Sequence, residues 1–259
     1  MHILIFTLLL PLAISSPVHL NNEPTDSVPL VTFDGAEGTT YKFHVLNDPV
    51  MVRKLYSKVY WFHDDNRYLS HFITLIKHTF FQGGVSTGTF EVDEENDIGI
   101  FNGTVKIVPS LQAPGFLSFE ADGKFADASS TISGGIALRL RTSTPEYTGF
   151  RMVFAANAIS PGSSCRWGGQ IPFTGGCFKS KFNVPPSNEN EFVDIEVPFT
   201  TFSDHWDGAT GEHTKECSED PKVCPTADDL GNIQKISIMA EGVAGDIHLE
   251  VLSISATTD

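Results

Sequence analysis

The chain has 259 residues, 41% of them hydrophobic and 19% charged, enough to bury a full core. Lys+Arg 17 against Asp+Glu 32 leaves a net charge of -15, a field that repels phosphate backbones and anionic lipid and removes nucleic acid from the partner classes. Gly 22, Pro 15 and Phe 20 favour strands and turns, because Gly and Pro break helices while Phe suits a pleated, half-buried surface.

Ile3 to Ile14 reads ILIFTLLLPLAI, an apolar run too short to span a bilayer, and Ala13-Ile14-Ser15 follows it as a small-x-small cleavage site. Residues 1–15 are therefore expected to be a signal peptide and 16–30 a linker, which places the mature chain in a secreted or endomembrane lumenal compartment. A mitochondrial presequence would need scattered Arg, and none occurs before Arg53. No later stretch is long and apolar enough for a membrane span.

From Val31 to Ala256 short alternating segments recur: Thr40 to Leu46, Thr87 to Val92, Gly135 to Arg141, Phe150 to Ala156, Phe192 to Phe199, Ile233 to Ala240 and Asp246 to Ala256. In Gly135 to Arg141, Ile136, Leu138 and Leu140 share one face and Ala137, Arg139 and Arg141 the other, the period of a strand with one buried side. Turn clusters such as PGSS, PPSNEN and EGVAGD separate these segments, so one antiparallel all-β sandwich is expected over 31–256.

Val52 to Gln82 breaks the pattern. It contains no Gly, Pro, Ala or Glu, and its five Lys/Arg against two Asp give it a local +3, while twelve basic and 30 acidic residues leave the remainder at -18. The segment starts with Val, whose codons begin GT, and ends with Gln, one of whose codons is CAG. A phase-zero intron of 31 codons read through as protein has those ends. The competing account is a genuine inserted loop or helix, since LSHFITLIKHTFF is drawn equally well as an amphipathic stretch.

Cys165, Cys177, Cys217 and Cys224 fit an oxidising compartment, and short spacing favours Cys165 with Cys177 and Cys217 with Cys224. Asn102-Gly103-Thr104 is an N-x-[ST] sequon set between strand-like segments, where a glycan would face solvent. Gly84-Val85-Ser86-Thr87-Gly88 matches G-x-S-x-G, but a nucleophile elbow requires a helix after the serine, and a strand-like TFEV follows. His205, His213, Cys217 and Cys224 offer zinc ligands at a spacing that fits no standard finger, and a disulfide-tied loop is the competing and favoured reading. Asp93, Glu94, Glu95 and Asp97 form an acidic hairpin loop, solvated or able to hold calcium. No P-loop or HExxH occurs, so no catalytic residue, cofactor or metal is expected. Trp167 and Trp206, beside polar turn residues, are either partly buried core or stacking platforms for a sugar ring.

Excising 52–82 joins NDPVM directly to GGVSTGTF. That junction, with FNGTV at Phe101 to Val105, GGIALRLR, VPFTTF at Val197 to Phe202 and the ending IQKISIMAEGVAGDIHLEVLSISA, resembles the complex I intermediate-associated protein 30 family. The specific block is NDxVMGGxS, matched by Asn47, Asp48, Val50, Met51, Gly83, Gly84 and Ser86. The resemblance implies a galactose-binding-like jelly-roll sandwich, no cofactor, no catalysis and a protein partner. For the mitochondrial members that partner is the set of NADH:ubiquinone oxidoreductase (complex I) assembly intermediates, on which they act as assembly chaperones. The leader and the four cysteines depart from those members. A mitochondrial location follows only if the family role holds, and a secreted carbohydrate-binding module with a glycan partner is the alternative. In the rejoined motif Asn47 and Asp48 can bond their own backbone, Pro49 fixes one dihedral and Gly83 and Gly84 allow positive φ, so a structural corner of the sandwich is expected there ahead of a ligand contact.

Overall fold

The computed structural model describes residues 27–48, 85–109, 111–156, 177–186, 191–208 and 210–258. The expected leader, the segment 52–82, Cys165 and Trp167 lie outside these residues. Thirteen strands run through the described part: β1 (Ser27–Thr32), β2 (Phe43–Asn47), β3 (Thr87–Asp93), β4 (Ile98–Val105), β5 (Ile107–Val108), β6 (Ala113–Pro114), β7 (Phe116–Asp122), β8 (Gly135–Thr142), β9 (Phe150–Ala156), β10 (Cys177–Lys181), β11 (Val193–Pro198), β12 (Ile233–Glu241) and β13 (Gly245–Thr257).

Period-two patterning is what makes two layers of them. Ile136, Leu138 and Leu140 of β8 are fully buried while Arg139 between them is exposed, as the spacing predicts. A six-stranded sheet has the order β11-β8-β13-β4-β3, with β1 also paired to β13, and faces a five-stranded sheet of order β10-β9-β12-β7-β2. All pairings are antiparallel. From β7 onward the chain crosses between layers at every step except from β9 to its partner β10, with β8, β11 and β13 in the six-stranded sheet and β7, β9, β10 and β12 in the other. That crossing is the jelly-roll pattern of an all-β sandwich. The long β13 organises one layer: β8 lines one side of it, and on the other β4 pairs with Gly245 to Val251 and β1 with Ser253 to Thr257.

Between the layers lie Leu117, Phe119 and Ala121 of β7, Ile236, Ile238 and Ala240 of β12, and Leu249, Val251 and Ile254 of β13. The phenylalanines that dominate the composition meet here. Phe90 stacks on Phe119 at 4.9 Å, and Phe101 meets Phe119 edge-on at 4.7 Å. Leu117 is fully buried because Gly88 and Gly103, directly opposite one another in β3 and β4, leave room for it: a Cβ on Gly103 would lie 2.5 Å from Leu117 Cδ1. Asn102-Gly103 is therefore strand interior, not a connection between strands as the sequon suggested. The glycine serves the approach of the opposite layer rather than a turn.

The sandwich also starts before the expected boundary at Val31, because β1 takes in Ser27 to Leu30 and buries Leu30 and Val31 in the core. A single-turn helix, α1 (Ala227–Leu230), is held by a capping box in which the Thr226 hydroxyl accepts from Asp229 N and the Asp229 carboxylate accepts from Thr226 N.

Candidate functional site

The family-motif residues converge at one corner. Asn47 ends β2, Asp48 follows it, and Ser86 sits just before β3. Asp48 Oδ2 accepts from Val85 N at 3.3 Å, Ser86 N at 3.4 Å and Ser86 Oγ at 3.0 Å, and Asn47 Nδ2 donates to Ser86 O at 3.3 Å. Ser86 Oγ in turn accepts from Lys106 N at 3.1 Å. The carboxylate occupies the space a side chain at position 115 would need: a Cβ on Gly115 would lie 2.0 Å from Asp48 Oδ2. Asp48 Oδ1 is buried without a hydrogen-bond partner. Two chain positions on either side of residues 49–84 are thus clasped by one buried carboxylate, the structural corner expected of the motif. Val50, Met51, Gly83 and Gly84 lie outside the described residues. Ser86 is fully buried, tied to a carboxylate rather than to an imidazole, and followed by a strand, so the G-x-S-x-G match has none of the geometry of a nucleophile elbow.

A second cluster was not foreseen. The outer face of the five-stranded sheet carries Arg151 on β9, Lys179 on β10 and Glu241 on β12, each at most 4% exposed. They are covered by the loop 203–216, which crosses that face. Ser203 and Lys179 exchange backbone hydrogen bonds at 3.0 and 3.1 Å, His213 Nε2 lies 2.7 Å from Lys179 O, and Glu212 pairs with Arg151 at 2.6 Å. The Lys179 ammonium pairs with Glu241 and sits 3.6 Å from the centre of the Trp206 ring. Burial pushes the Lys179 ammonium below the ordinary lysine range, and the attraction of Glu241 offsets this only in part. Every charge in the cluster has a partner, the arrangement that makes burial tolerable.

Trp206 belongs to this cluster, which corrects its reading as a sugar platform. It is 2% exposed, packs with Val153, Ala155 and Cys177, and Nε1 donates to Cys177 O at 3.4 Å. Its ring face is taken by Lys179, so none is left for a sugar. Between zinc and a disulfide-tied loop, the favoured loop is what forms. Cys217 and Cys224 are joined, His205 Nδ1 lies 2.6 Å from Asp204 Oδ1, and His213 is held between Glu216 and Lys179 O. Cys177 is disulfide-bonded as well, while its expected partner Cys165 is outside the described residues. In the acidic loop Asp93 Oδ1 accepts from Glu95 N and Asn96 N, a hairpin turn that spends its first carboxylate on its own backbone. Among the described residues His44, Glu120 and Asp122 are the group spaced to hold a metal ion. Lys235 Nζ lies 2.6 Å from Glu120 and 3.0 Å from Asp122, so an ammonium already supplies the cation there.

A family model described as complex I intermediate-associated protein 30 matches residues 80–251, well over half of the chain. No curated protein sequence matches it. Among solved structures, a family 11 carbohydrate-binding module from Clostridium thermocellum in complex with a β-1,3-1,4-mixed-linked tetrasaccharide is similar at 11% identity and a TM-score of 0.46, over 90% of this chain and 95% of that one. The solution structure of CtCBM11 is similar at 10% identity and 0.45, over 92% and 98%. An agarase, AgWH50C, is similar at 12% identity and 0.37, over 67% of this chain and 22% of the agarase. The motif corner and the extent of the family match lead to one statement of kinship: the chain belongs to the complex I intermediate-associated protein 30 family.

Proposed function

We propose that the chain is a non-catalytic β-sandwich that works by binding another polypeptide, in the manner of an assembly chaperone, in a secreted or endomembrane lumenal setting. The family match over residues 80–251 is the observation that carries this reading. The chemistry of the described residues supports it. The motif's serine and carboxylate are spent on a buried clasp, and the charges beneath the loop 203–216 are paired with one another, so none of these groups stands free to take or give a proton. The apolar run at Ile3 to Ile14 supports the compartment, and makes the partner a polypeptide of the secretory route rather than a complex I intermediate. The burial of Trp206 weighs against the glycan reading.

The test presents the purified full chain to a glycan array and, in parallel, cross-links it in secretory-pathway cells with mass-spectrometric identification. Reproducible cross-links to a defined polypeptide with a blank array support the proposal. Saturable glycan binding without such cross-links overturns it in favour of a carbohydrate-binding module.

A further inference from the structure

In β4 the side chains alternate, with Phe101 and the bare Gly103 turned to the core, so Asn102 and Thr104 face outward on the six-stranded sheet. Thr89 of β3 and His248 of β13 stand directly opposite Asn102 on its two sides. Asn102 Oδ1 lies 2.5 Å from His248 Nδ1, and a carbonyl oxygen accepts, so the imidazole is the donor. His248 is held in turn from its far side, with Nε2 3.0 Å from Glu250 Oε1. Thr104 Oγ1 donates to Asp246 Oδ1 at 2.7 Å. The Asn102 amide is therefore oriented by its oxygen, and its Nδ2 makes no hydrogen bond among the described residues. Its outward neighbours are polar: Thr89 and Asp246 are exposed, and His248 and Thr104 half-buried.

We infer that Asn102 carries an N-linked glycan when the chain passes through an endomembrane lumen, a site that rests on the secretory reading of the leader. The reaction gives the nitrogen one new bond. Asn102 Nδ2 loses a proton to a basic group of the transferring enzyme and bonds to the anomeric carbon of a lipid-pyrophosphate-linked oligosaccharide. The bond from that carbon to the pyrophosphate oxygen breaks, and the lipid pyrophosphate leaves. The product is still an amide whose oxygen accepts from His248, so the modification keeps the one contact that orders the side chain. A bulky sugar here stands on the outer face of the six-stranded sheet. The polypeptide partner is then confined to the rest of the molecule.

The test expresses the full chain in a eukaryotic secretory host, once with its own residues 1–15 and once with a proven signal peptide in their place. Lumenal or secreted protein is digested and the peptide containing Asn102 is weighed before and after peptide-N-glycosidase. With the proven signal peptide the wild-type chain yields a glycopeptide that the glycosidase converts to Asp at position 102. Thr104→Ala, which removes the sequon and leaves the Asn102 to His248 bond, yields none. An unmodified Asn102 in the wild-type chain behind the proven signal peptide overturns the inference. A glycopeptide behind the proven signal peptide but not behind the chain's own leader keeps the site and refutes the leader.

Discussion

When Asp48 accepts from Val85 N and Ser86, the 36 residues numbered 49–84 are closed into a ring by a buried carboxylate. Deleting Val52 to Gln82 shortens that ring to five residues while leaving Asn47, Asp48, Val85 and Ser86 in place. Closure entropy scales as (3/2)RT ln n, so the shorter ring costs less by about 1.7 kcal/mol at 25 °C. For a domain of this size such a gain raises the melting midpoint by roughly 3–7 °C. The expected outcome is a chain, joined Met51 to Gly83, that folds to the same sandwich and melts higher than the full sequence by circular dichroism, with a higher urea midpoint and an m-value no larger. Adding Asp48→Ala to the deletion removes the clasp that profits from the short ring, and most of the gain should vanish. A deletion that lowers the midpoint by several degrees, or does not fold, refutes the reasoning and makes 52–82 an integral part of the structure. Transcripts spanning the same junction should include a form without these 31 codons if the segment is a retained intron.

Gly115→Ala forces a methyl group into the space of Asp48 Oδ2 while Gly115 N is pinned to Lys106 O at 2.8 Å, so a loss of about 2–3 kcal/mol is expected by urea titration, and an unchanged midpoint contradicts the clasp. Lys179→Ala leaves Glu241 buried without its ammonium and should cost about 3–5 kcal/mol, whereas the paired change Lys179→Met with Glu241→Leu should cost far less; equal losses would show that packing, not charge, decides the site. Burial acts to raise the Glu250 carboxyl, but its hydrogen bonds to His248 and Arg141 outweigh this and hold it below the usual range. A group whose folded pKa is depressed contributes stability above its unfolded pKa and loses it as pH falls through the folded one. The denaturant midpoint should therefore decline below about pH 4, and Glu250→Gln should flatten that decline.

Segments whose two faces differ were legible in the sequence. Phe150 to Ala156 was located to the residue, and Gly135 to Arg141 and Ile233 to Ala240 to within one, because alternation and bounding turns agree there. β7 and β10 were not: FLSFEAD alternates, but CFKSK sets two apolar residues before three polar ones. Their polar positions, Ser118, Glu120, Lys179 and Ser180, are nearly all buried, and that burial is tertiary, as with the loop 203–216 lying over Lys179. No local pattern announces which distant loop will cover a strand. The same loop defeats the reading of Trp206, whose surroundings in DHWDG are polar in sequence but in space are Val153, Ala155 and Lys179. The motif corner was legible because Asn47 and Asp48 on one side of the break and Ser86 on the other fall in one short sequence block once 52–82 is set aside.

The central claim is that this sandwich binds a polypeptide and catalyses nothing. Native mass spectrometry of the full chain purified from a eukaryotic secretory host, under conditions that preserve complexes, tests it most directly. The account predicts a stoichiometric complex with a defined polypeptide that persists after glycosidase treatment. A chain that arrives alone, and gains mass only when oligosaccharides are added, would contradict it.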